Sequence, residues 1–368
     1  MRILISGGGT GGHIYPGLAI AKTIDKKKND AEIVFVGTEQ GLEADIIPKE
    51  GYQLKTIQVQ GLPRKISVEL VKAVFKSVIG TFEAKLILNE FKPDIVVGTG
   101  GYVCGPVVLA AALSNIPTVI HEQNAYPGLT NRLLAKVVDK IALSNYDARE
   151  HLGDSDKVVL TGNPIRPEIL EQNRIKAFKE LGLNPNQKVI LVFGGSRGAK
   201  SINQAVVKLY KEIKCSDLQL LHITGNDGFE KVKAEAKKLG INSLKSGQII
   251  IKPYLYNMEA ALNIADLVIS RAGATGLAEI TACGIPAILI PYPYAAENHQ
   301  EHNARSLERM NAAKVILDQE LTGEKLIEIV NELLFDQQKL MKMAQASKEL
   351  GQPNAADKLA ALIQSLIS

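Results

Sequence analysis

Short apolar runs alternate with longer amphipathic segments along almost the whole chain. The runs are rich in Val, Ile and Leu and too short for helices, which is typical of strands buried on both faces of a sheet. This alternation predicts an α/β fold with doubly wound parallel sheets. The predicted strands are 2–6, 32–36, 53–57, 95–98, 117–120, 140–142, 157–160, 188–193, 219–224, 249–252, 267–270, 287–290 and 313–316.

The two halves of the chain begin alike. The first predicted strand leads into a glycine turn at 7–12, and the eighth leads into a second one at 194–198. Periodicity weakens over 162–187, which predicts a domain boundary near Gly162. We therefore expect two similar nucleotide-binding domains facing across a cleft, with ligands at the carboxyl ends of the strands. The predicted helices are 17–25, 67–89, 107–113, 128–136, 201–211, 230–239, 257–265, 277–282 and 302–310, with helix throughout from about 323.

Composition excludes several classes of protein. The chain has 368 residues, of which 46% are hydrophobic and 22% charged, so a disordered or low-complexity chain is excluded. A net charge of +4 is too weak to imply a nucleic-acid partner. The three cysteines form no CxxC pair, which favours a reducing cytosol. The uncharged stretch 95–120 is broken by Gly and Pro, so we expect a protein that contacts a membrane surface at most.

The turn at 7–12 satisfies G-x-G-x-x-G between a strand and a helix, a pattern that brings backbone amides close to phosphate. A dinucleotide site also needs an acid about twenty residues further on. Glu39 is the only near candidate and stands late, and His13 follows the glycines where a P-loop has Lys. A phosphate or sugar cradle and a tight turn without a ligand are both compatible with the loop.

The second turn satisfies G-x-S-x-G, the nucleophile elbow of serine hydrolases, with Ser196 at its centre. Asp266 and His299 or His302 are then the candidate partners. Thr10 holds the matching place in the first turn, and this repetition favours two phosphate or sugar cradles over a hydrolase.

The stretch SRAGATGLAE at 270–279 also leaves a strand and begins a helix. Its small residues expose backbone amides to an anion, and Glu279 can accept hydrogen bonds from both hydroxyls of a ribose. A glutamate that only favours the helix dipole is the alternative. The polar clusters HEQN at 121–124 and HQEHN at 299–303 suit sugar hydroxyls better than zinc, because HExxH is absent; ordinary loop or cap residues are the alternative.

An amphipathic segment lies between 61 and 92, with basic residues beside its apolar positions. A buried core helix is the first interpretation, and contact with anionic lipid is the second. The residues expected to contact a membrane are Val71, Lys72, Phe75, Lys76, Ile79 and Phe82.

Six motifs occur in one order over nearly the whole chain: GGGTGGHIYPGLA, GTGGYVCGP, HEQN, GNPIR, GGSRGA and SRAGATGLAE. In this order they resemble the bacterial UDP-N-acetylglucosamine–N-acetylmuramyl-(pentapeptide) pyrophosphoryl-undecaprenol N-acetylglucosaminyltransferases, the MurG family. The resemblance implies a GT-B fold, with an acceptor and membrane domain at 1–162 and a UDP-GlcNAc-binding domain at 163–340. It also implies a C-terminal helix, about 341–368, that returns to the first domain.

The activity implied is inverting transfer of GlcNAc from UDP-GlcNAc to the 4-hydroxyl of undecaprenyl-linked lipid I, giving lipid II for peptidoglycan, without a metal or other cofactor. The implied location is the cytoplasmic face of the cell membrane, as a peripheral protein on an anionic surface, with cell-wall synthesis proteins as partners and no nucleic acid. His13 is the candidate general base, and Glu122 is the second catalytic candidate. Gly9 and Tyr102 are assigned to the acceptor. The residues assigned to the donor are Thr10, Gly11, Gly12, Asn124, Arg166, Ser196, Leu255, Ala274, Thr275, Gly276, Glu279 and Gln300. Within this set the resemblance implies diphosphate contacts at Ser196 and 274–276, a uracil contact near Leu255, and sugar contacts at Asn124 and Gln300.

Other functions share the architecture. A diacylglycerol glucosyltransferase and a UDP-GlcNAc 2-epimerase are the nearest alternatives. An NAD-linked oxidoreductase is favoured only by G-x-G-x-x-G, and a non-catalytic nucleotide sensor predicts UDP-sugar binding without turnover.

Overall fold

The computed structural model describes residues 1–28, 30–61, 68–153, 156–195, 198–214, 217–241 and 248–367. The chain forms two compact units. Unit 1 comprises Met1–Ile165 and Gln352–Ser368, and unit 2 comprises Arg166–Gly351. The division falls at 165/166 rather than at 162. The segment that belongs to unit 1 begins at 352, so residues 341–351 lie in unit 2.

Unit 1 is a seven-stranded parallel sheet with helices on both faces. The strand order is β3-β2-β1-β4-β5-β6-β7, which places the first strand inside the sheet between β2 and β4. The strands are β1 (Arg2–Gly7), β2 (Glu32–Gly37), β3 (Gln53–Thr56), β4 (Ile95–Gly100), β5 (Thr118–Glu122), β6 (Lys140–Leu143) and β7 (Val158–Leu160). The helices are α1 (Gly11–Lys27), α2 (Leu42–Lys49), α3 (Val68–Phe91), α4 (Cys104–Leu113), α5 (Leu129–Leu134) and, from the chain end, α14 (Ala355–Ser365).

Alternate residues of each strand of unit 1 point to opposite faces, so the sheet has an apolar core on each side. Leu4 of β1 belongs to one core, while Ile3 and Ile5 belong to the other. Leu359 and Ile363 of α14 complete this second core and are fully buried. The C-terminal helix is therefore an integral layer of unit 1.

Unit 2 repeats the plan with a six-stranded parallel sheet in the order β10-β9-β8-β11-β12-β13. Its strands are β8 (Lys188–Phe193), β9 (Leu218–Ile223), β10 (Ile249–Lys252), β11 (Leu267–Ser270), β12 (Ala287–Leu289) and β13 (Ala313–Val315). Its helices are α6 (Arg174–Leu181), α7 (Lys200–Lys214), α8 (Asn226–Lys238), α9 (Met258–Ile264), α10 (Ala274–Ala282), α11 (His299–Arg309), α12 (Gly323–Phe335) and α13 (Gln337–Leu350).

The predicted strands are all present, with bounds within about two residues of those expected from the apolar runs. The sequence pattern missed helices α2 and α6. It also placed the start of α1 at 17, whereas the helix begins at Gly11, directly after the glycine turn. Among the described residues, no helix combines the length and apolar character needed to cross a bilayer.

Candidate functional site

In unit 1 the turns after β1 and β4 lie side by side because these two strands are neighbours in the sheet. The amide of Gly8 donates to the carbonyl oxygen of Gly100 at 3.3 Å. Gly101 has φ +84°, and a Cβ there would lie 2.3 Å from the Gly8 oxygen. The two glycine motifs are therefore needed for one close backbone contact at the carboxyl edge of the sheet.

Three predicted site residues meet on this contact. The ring of His13 covers Gly100, where a Cβ would lie 2.5 Å from Nδ1 of the imidazole. The ring of Tyr102 lies over Gly9, with its Cε1 atom 3.2 Å from the Cβ position of that glycine. Thr99 fixes the backbone of His13, since its hydroxyl donates to the His13 carbonyl oxygen at 2.8 Å. The structure thus brings the candidate base and both predicted acceptor residues together.

Glu122 ends β5 and is 1% exposed. Its carboxylate accepts from the amide and side chain of Asn124 at 2.9 and 3.1 Å, from the Gly128 amide at 3.1 Å and from the Asn131 side chain at 2.8 Å. Burial raises the pKa of Glu122, and these hydrogen bonds oppose the rise. These hydrogen bonds show that Glu122 holds the loop after β5 in place. Its catalytic role stays a prediction.

The sequence analysis did not identify a buried acid in the first turn of α2, the helix that follows β2. Glu43 is fully buried, and its Oε2 atom accepts from the Gly9 amide at 2.9 Å. Its Oε1 atom accepts from the amide and the hydroxyl of Thr38 at 3.0 and 2.7 Å. Glu39, the acid considered for a dinucleotide ribose, is exposed. The acid near β2 therefore binds the glycine turn itself, which argues against a dinucleotide site.

A cavity of about 500 Å³ opens beside these residues in unit 1. Its polar end contains His13, Tyr102, Glu122 and Asn124. Asn124, assigned to the donor, lies here in unit 1 with the acceptor candidates. The volume is typical of small-molecule sites. The remaining lining residues are Gln60, Gly61, Ser77, Thr81, Gly100, Gly101, Gly105, Pro106, Leu109, Gly128, Leu129, Thr130, Asn131, Leu133, Leu134 and Val137.

In unit 2 the predicted donor residues Arg166 and Glu279 form an ion pair. The Nε and Nη2 atoms of Arg166 lie 3.4 and 3.3 Å from Oε1 of Glu279. Nη1 lies 3.5 Å from Glu259, at the start of α9. Burial raises the pKa of Glu279, the guanidinium opposes this rise, and the Glu259 carboxylate adds to it. One cation thus holds two carboxylates at this place.

Gln300 in α11 joins the loops that follow β11 and β12. Its Oε1 atom accepts from the amides of Ala272 and Tyr292 at 3.2 and 3.0 Å. Two backbone donors fix the orientation of the side-chain amide, since only the oxygen can face them. Among the described residues Nε2 has no hydrogen-bond partner, so its donors are open to a ligand, and the sugar contact stays a prediction.

The N-terminal turn of α10 carries the predicted diphosphate residues Ala274, Thr275 and Gly276. The Thr275 hydroxyl is buried and has no hydrogen-bond partner among the described residues. A buried hydroxyl at a helix N-terminus favours an anionic ligand there. Leu255, the predicted uracil contact, is 7% exposed and lies in the loop 253–257 between β10 and α9. Ser196 lies outside the described residues.

Arg271 is a further residue that the sequence analysis did not single out. Its Nη1 atom donates to the carbonyl oxygens of Ile290 and Pro291, both at 3.1 Å, and to Asp318. Its Nη2 atom donates to the hydroxyl of Ser201 at 3.0 Å. The guanidinium therefore connects the ends of β11 and β12 with the start of α7, which follows the second glycine turn.

The hydrolase alternative fails on topology. Asp266 precedes β11 and so lies at the amino edge of the sheet, whereas the second glycine turn follows β8 at the carboxyl edge. The Asp266 carboxylate also accepts from the Val189 amide at 2.8 Å and pairs with Arg174. Asp266 therefore does not fit the acid of a catalytic triad at the carboxyl edge of this sheet.

Two parallel α/β units, with sheets of seven and six strands, define the GT-B class of glycosyltransferases, as predicted. The donor candidates are not confined to one unit, because Thr10, Gly11, Gly12 and Asn124 lie in unit 1. The profile of the Glycosyltransferase family 28 N-terminal domain matches residues 3–143, and that of the C-terminal domain matches residues 189–359. A solved MurG from Acinetobacter baumannii is 30% identical, covers 99% of both chains and superposes with a TM-score of 0.79.

Two curated relatives cover almost the full length. A protein of Desulforamulus reducens is 50% identical over 100% of this chain and 99% of its own. One of Halothermothrix orenii is 53% identical over 99% of this chain and 98% of its own. Both are named UDP-N-acetylglucosamine--N-acetylmuramyl-(pentapeptide) pyrophosphoryl-undecaprenol N-acetylglucosamine transferase. The chain belongs to this family, the MurG glycosyltransferases.

The chain also resembles an enzyme of a different class, and at this low identity the resemblance shows only a shared fold. The UDP-GlcNAc 2-epimerase from Neisseria meningitidis, solved with UDP-GlcNAc bound, has a TM-score of 0.69 at 15% identity.

Proposed function

We propose that this enzyme transfers GlcNAc from UDP-GlcNAc to the 4-hydroxyl of undecaprenyl-diphospho-MurNAc-pentapeptide, with inversion, and so forms lipid II for peptidoglycan. The observation that carries the proposal is identity of about 50% with relatives named for this reaction, over practically the whole of each chain. The match includes both units, so it covers donor and acceptor residues alike.

Unit 2 supplies the donor side. The Glu279 carboxylate accepts the ribose hydroxyls, and the start of α10 with the Thr275 hydroxyl faces the diphosphate. Gln300 offers its Nε2 donors to the sugar. Backbone amides at a helix N-terminus stabilise the negative charge that grows on departing UDP. We propose that this suffices without a metal ion.

Unit 1 supplies the acceptor side. The His13 imidazole takes the proton of the attacking hydroxyl as the new glycosidic bond forms and the bond to UDP breaks. An imidazole suits this role because its pKa lies near working pH. Tyr102, packed over Gly9, forms a wall for the acceptor sugar. Both residues line the unit 1 cavity.

Helix α3 is the proposed membrane contact. Phe75 and Phe82 are 66% and 70% exposed, which is unusual for Phe in a globular protein. Lys72 and Lys76 are exposed beside them, and Ile79 is half-buried. The side chain of Val71 lies outside the described set. Apolar and basic groups together suit the anionic cytoplasmic face of the cell membrane, where cell-wall synthesis proteins are the expected partners.

The test is release of UDP from UDP-GlcNAc, with and without a lipid I analogue, in matched EDTA and magnesium. Release that needs the acceptor and survives EDTA is expected. UDP-glucose in place of UDP-GlcNAc tests the donor. Release without acceptor indicates an epimerase or hydrolase, and binding without release contradicts catalysis of this reaction.

A further inference from the structure

The unit 1 cavity continues from its polar end into an apolar trough between α3 on one side and α4 and α5 on the other. The trough is defined here by Leu109, Leu129, Leu133, Leu134 and Val137 with Ser77 and Thr81 of α3. Leu129, Leu133 and Val137 are 47%, 55% and 45% exposed. These side chains are exposed although they line a concave surface, which marks the trough as a binding site rather than core.

The two hydroxyl groups of the trough, those of Ser77 and Thr81, already donate to backbone oxygens of α3. The Ser77 hydroxyl donates to the Ala73 carbonyl oxygen at 2.9 Å, and the Thr81 hydroxyl donates to the Ser77 carbonyl oxygen at 2.8 Å. Both hydroxyl groups therefore donate their hydrogen bonds within α3 and have no donor left for a ligand. The rest of the trough is apolar, so its surface favours a hydrocarbon ligand.

The position of the trough beside the proposed reaction site indicates which hydrocarbon it binds. Its inner end reaches His13, Tyr102, Glu122 and Asn124, where the acceptor is proposed to react. A cation stands beside it, since Nζ of Lys76 lies 3.2 Å from Oε1 of the lining residue Gln60. The polar end of the cavity suits a sugar, the Lys76 ammonium suits a diphosphate, and the trough suits an apolar chain. A ligand that joins a sugar to an apolar chain through a diphosphate matches all three.

We propose that the trough binds the isoprenoid units of the lipid acceptor that follow the diphosphate, so that part of the polyprenyl chain is held by protein instead of bilayer. The proposal rests on the proposed function, since a polyprenyl-diphosphate sugar is the acceptor there. The trough is distinct from the exposed aromatic residues of α3, because Phe75 and Phe82 do not line the cavity.

The experiment uses the full chain in buffer without vesicles or detergent. Two soluble acceptors carry the same diphospho-sugar, one with a tail of two isoprene units and one with a methyl group. For the parent enzyme we expect KM of the prenyl acceptor to be roughly tenfold lower, the gain from burying about two methylene groups. The readout is the ratio of the two KM values, which cancels general losses of activity.

Leu109→Gln and Leu113→Gln are a matched pair one turn apart on α4. Leu109 lines the trough, and Leu113 does not and is 74% exposed. We expect Leu109→Gln to reduce the ratio below about threefold and Leu113→Gln to preserve it. Ser77→Phe, which fills the trough, should also abolish the preference. An unchanged ratio in Leu109→Gln and Ser77→Phe, or an equal loss in Leu113→Gln, overturns the proposal.

Calorimetry with geranyl diphosphate separates the trough from the reaction. Binding to the parent protein that is lost in Ser77→Phe supports the trough even if no acceptor is glycosylated. Transfer to both acceptors with no prenyl preference and no geranyl diphosphate binding refutes the trough and leaves the proposed function intact. Equal binding of unbranched decyl diphosphate indicates a site for any alkyl chain, which contradicts an isoprenoid site.

Discussion

The guanidinium of Arg166 and the carboxylate of Glu279 are paired at 3.3 Å across 113 residues of sequence. Arg166 lies just before the first helical turn of unit 2, and Glu279 lies in α10. The side chain of Glu279 is only 12% exposed and that of Arg166 is 41% exposed, so the carboxylate is shielded from solvent while the guanidinium is partly open to it. A carboxylate oriented in this way needs little rearrangement to accept the two hydroxyls of a ribose.

Replacing Glu279 tests that role. Glu279→Gln should raise the donor KM by about 10–100-fold with kcat little changed, since hydrogen bonds to a charged group contribute about 1.5–3 kcal/mol. Glu259→Gln removes the other carboxylate near Arg166 and should change the donor KM by less than about threefold. Initial rates over a UDP-GlcNAc series measure both, and an unchanged KM in Glu279→Gln refutes the ribose contact.

His13→Ala should lower kcat by about 10²–10⁴-fold, the usual contribution of a general base, with both KM values nearly unchanged. His151→Ala, at an exposed histidine of the same unit, is the control and should retain full activity. Steady-state kinetics with saturating donor measure the effect. An active His13→Ala enzyme removes this imidazole from the mechanism.

Glu43→Gln should disturb the glycine turn. Both carboxylate oxygens accept hydrogen bonds, so a carboxamide must direct its NH₂ group at a donor, and this costs about 1–3 kcal/mol of unfolding free energy. Because the turn leads directly to His13, we also expect kcat to fall at least about tenfold while the donor KM is unchanged. Thermal unfolding and kinetics measure the two effects, with Glu39→Gln as control. A loss of stability without a loss of kcat assigns Glu43 a structural role only.

Arg271→Lys should loosen the carboxyl edge of unit 2. An ammonium cannot replace a planar guanidinium that contacts Asp318, Ser201 and two carbonyl oxygens, so we expect a loss of about 2–4 kcal/mol in unfolding free energy and a higher donor KM. Arg305→Lys, at a more exposed arginine of the same unit, should change stability by less than about 1 kcal/mol. Denaturant titration measures the change in unfolding free energy, and initial rates over a UDP-GlcNAc series measure the donor KM. Equal effects of the two replacements contradict a special role for Arg271.

Acid should destabilise both units through one buried histidine in each. Burial lowers the pKa of His121 to about 4 and that of His222 to about 3, whereas an unfolded histidine titrates near 6.5. Below about pH 6.5 the unfolded chain therefore binds more protons than the folded chain. The free energy of unfolding is unaffected by these histidines above about pH 6.5 and decreases as the pH falls towards 4. The loss is on the order of 3 kcal/mol for His121.

Denaturant titrations between pH 7.5 and 4.5 measure this loss. His222→Gln keeps a polar side chain between Tyr210 and Asn203, and it should flatten the pH dependence even if it lowers stability at pH 7.5. A slope identical to that of the parent protein refutes the assignment.

The strands were predictable from sequence because buried parallel strands are continuous apolar runs, and the β1 and β8 runs are clear examples. Helix α2 was missed because it has only eight residues and contains Pro48, and α6 because it lies in a stretch rich in Pro and charge. Local pattern carries little information about short helices that are stabilised by tertiary packing.

The site was only partly predictable for a related reason. His13, Tyr102 and Glu279 stand in motifs whose local geometry is encoded nearby in the chain. Glu43 and Arg271 act by joining loops that are distant in sequence, and nothing around either residue indicates its partners. Their roles follow from strand order, which places the end of β2 beside that of β1 and the end of β12 beside that of β11.

The return of α14 to unit 1 affects the order in which the protein can be made. Unit 2 is one uninterrupted segment, so its core can close as soon as residue 351 has been synthesised. Unit 1 lacks Leu359 and Ile363 until the ribosome has passed them, although its sheet was translated first. Nascent unit 1 therefore keeps an unfilled apolar face while unit 2 folds, and during that interval this face is exposed to chaperones and aggregation.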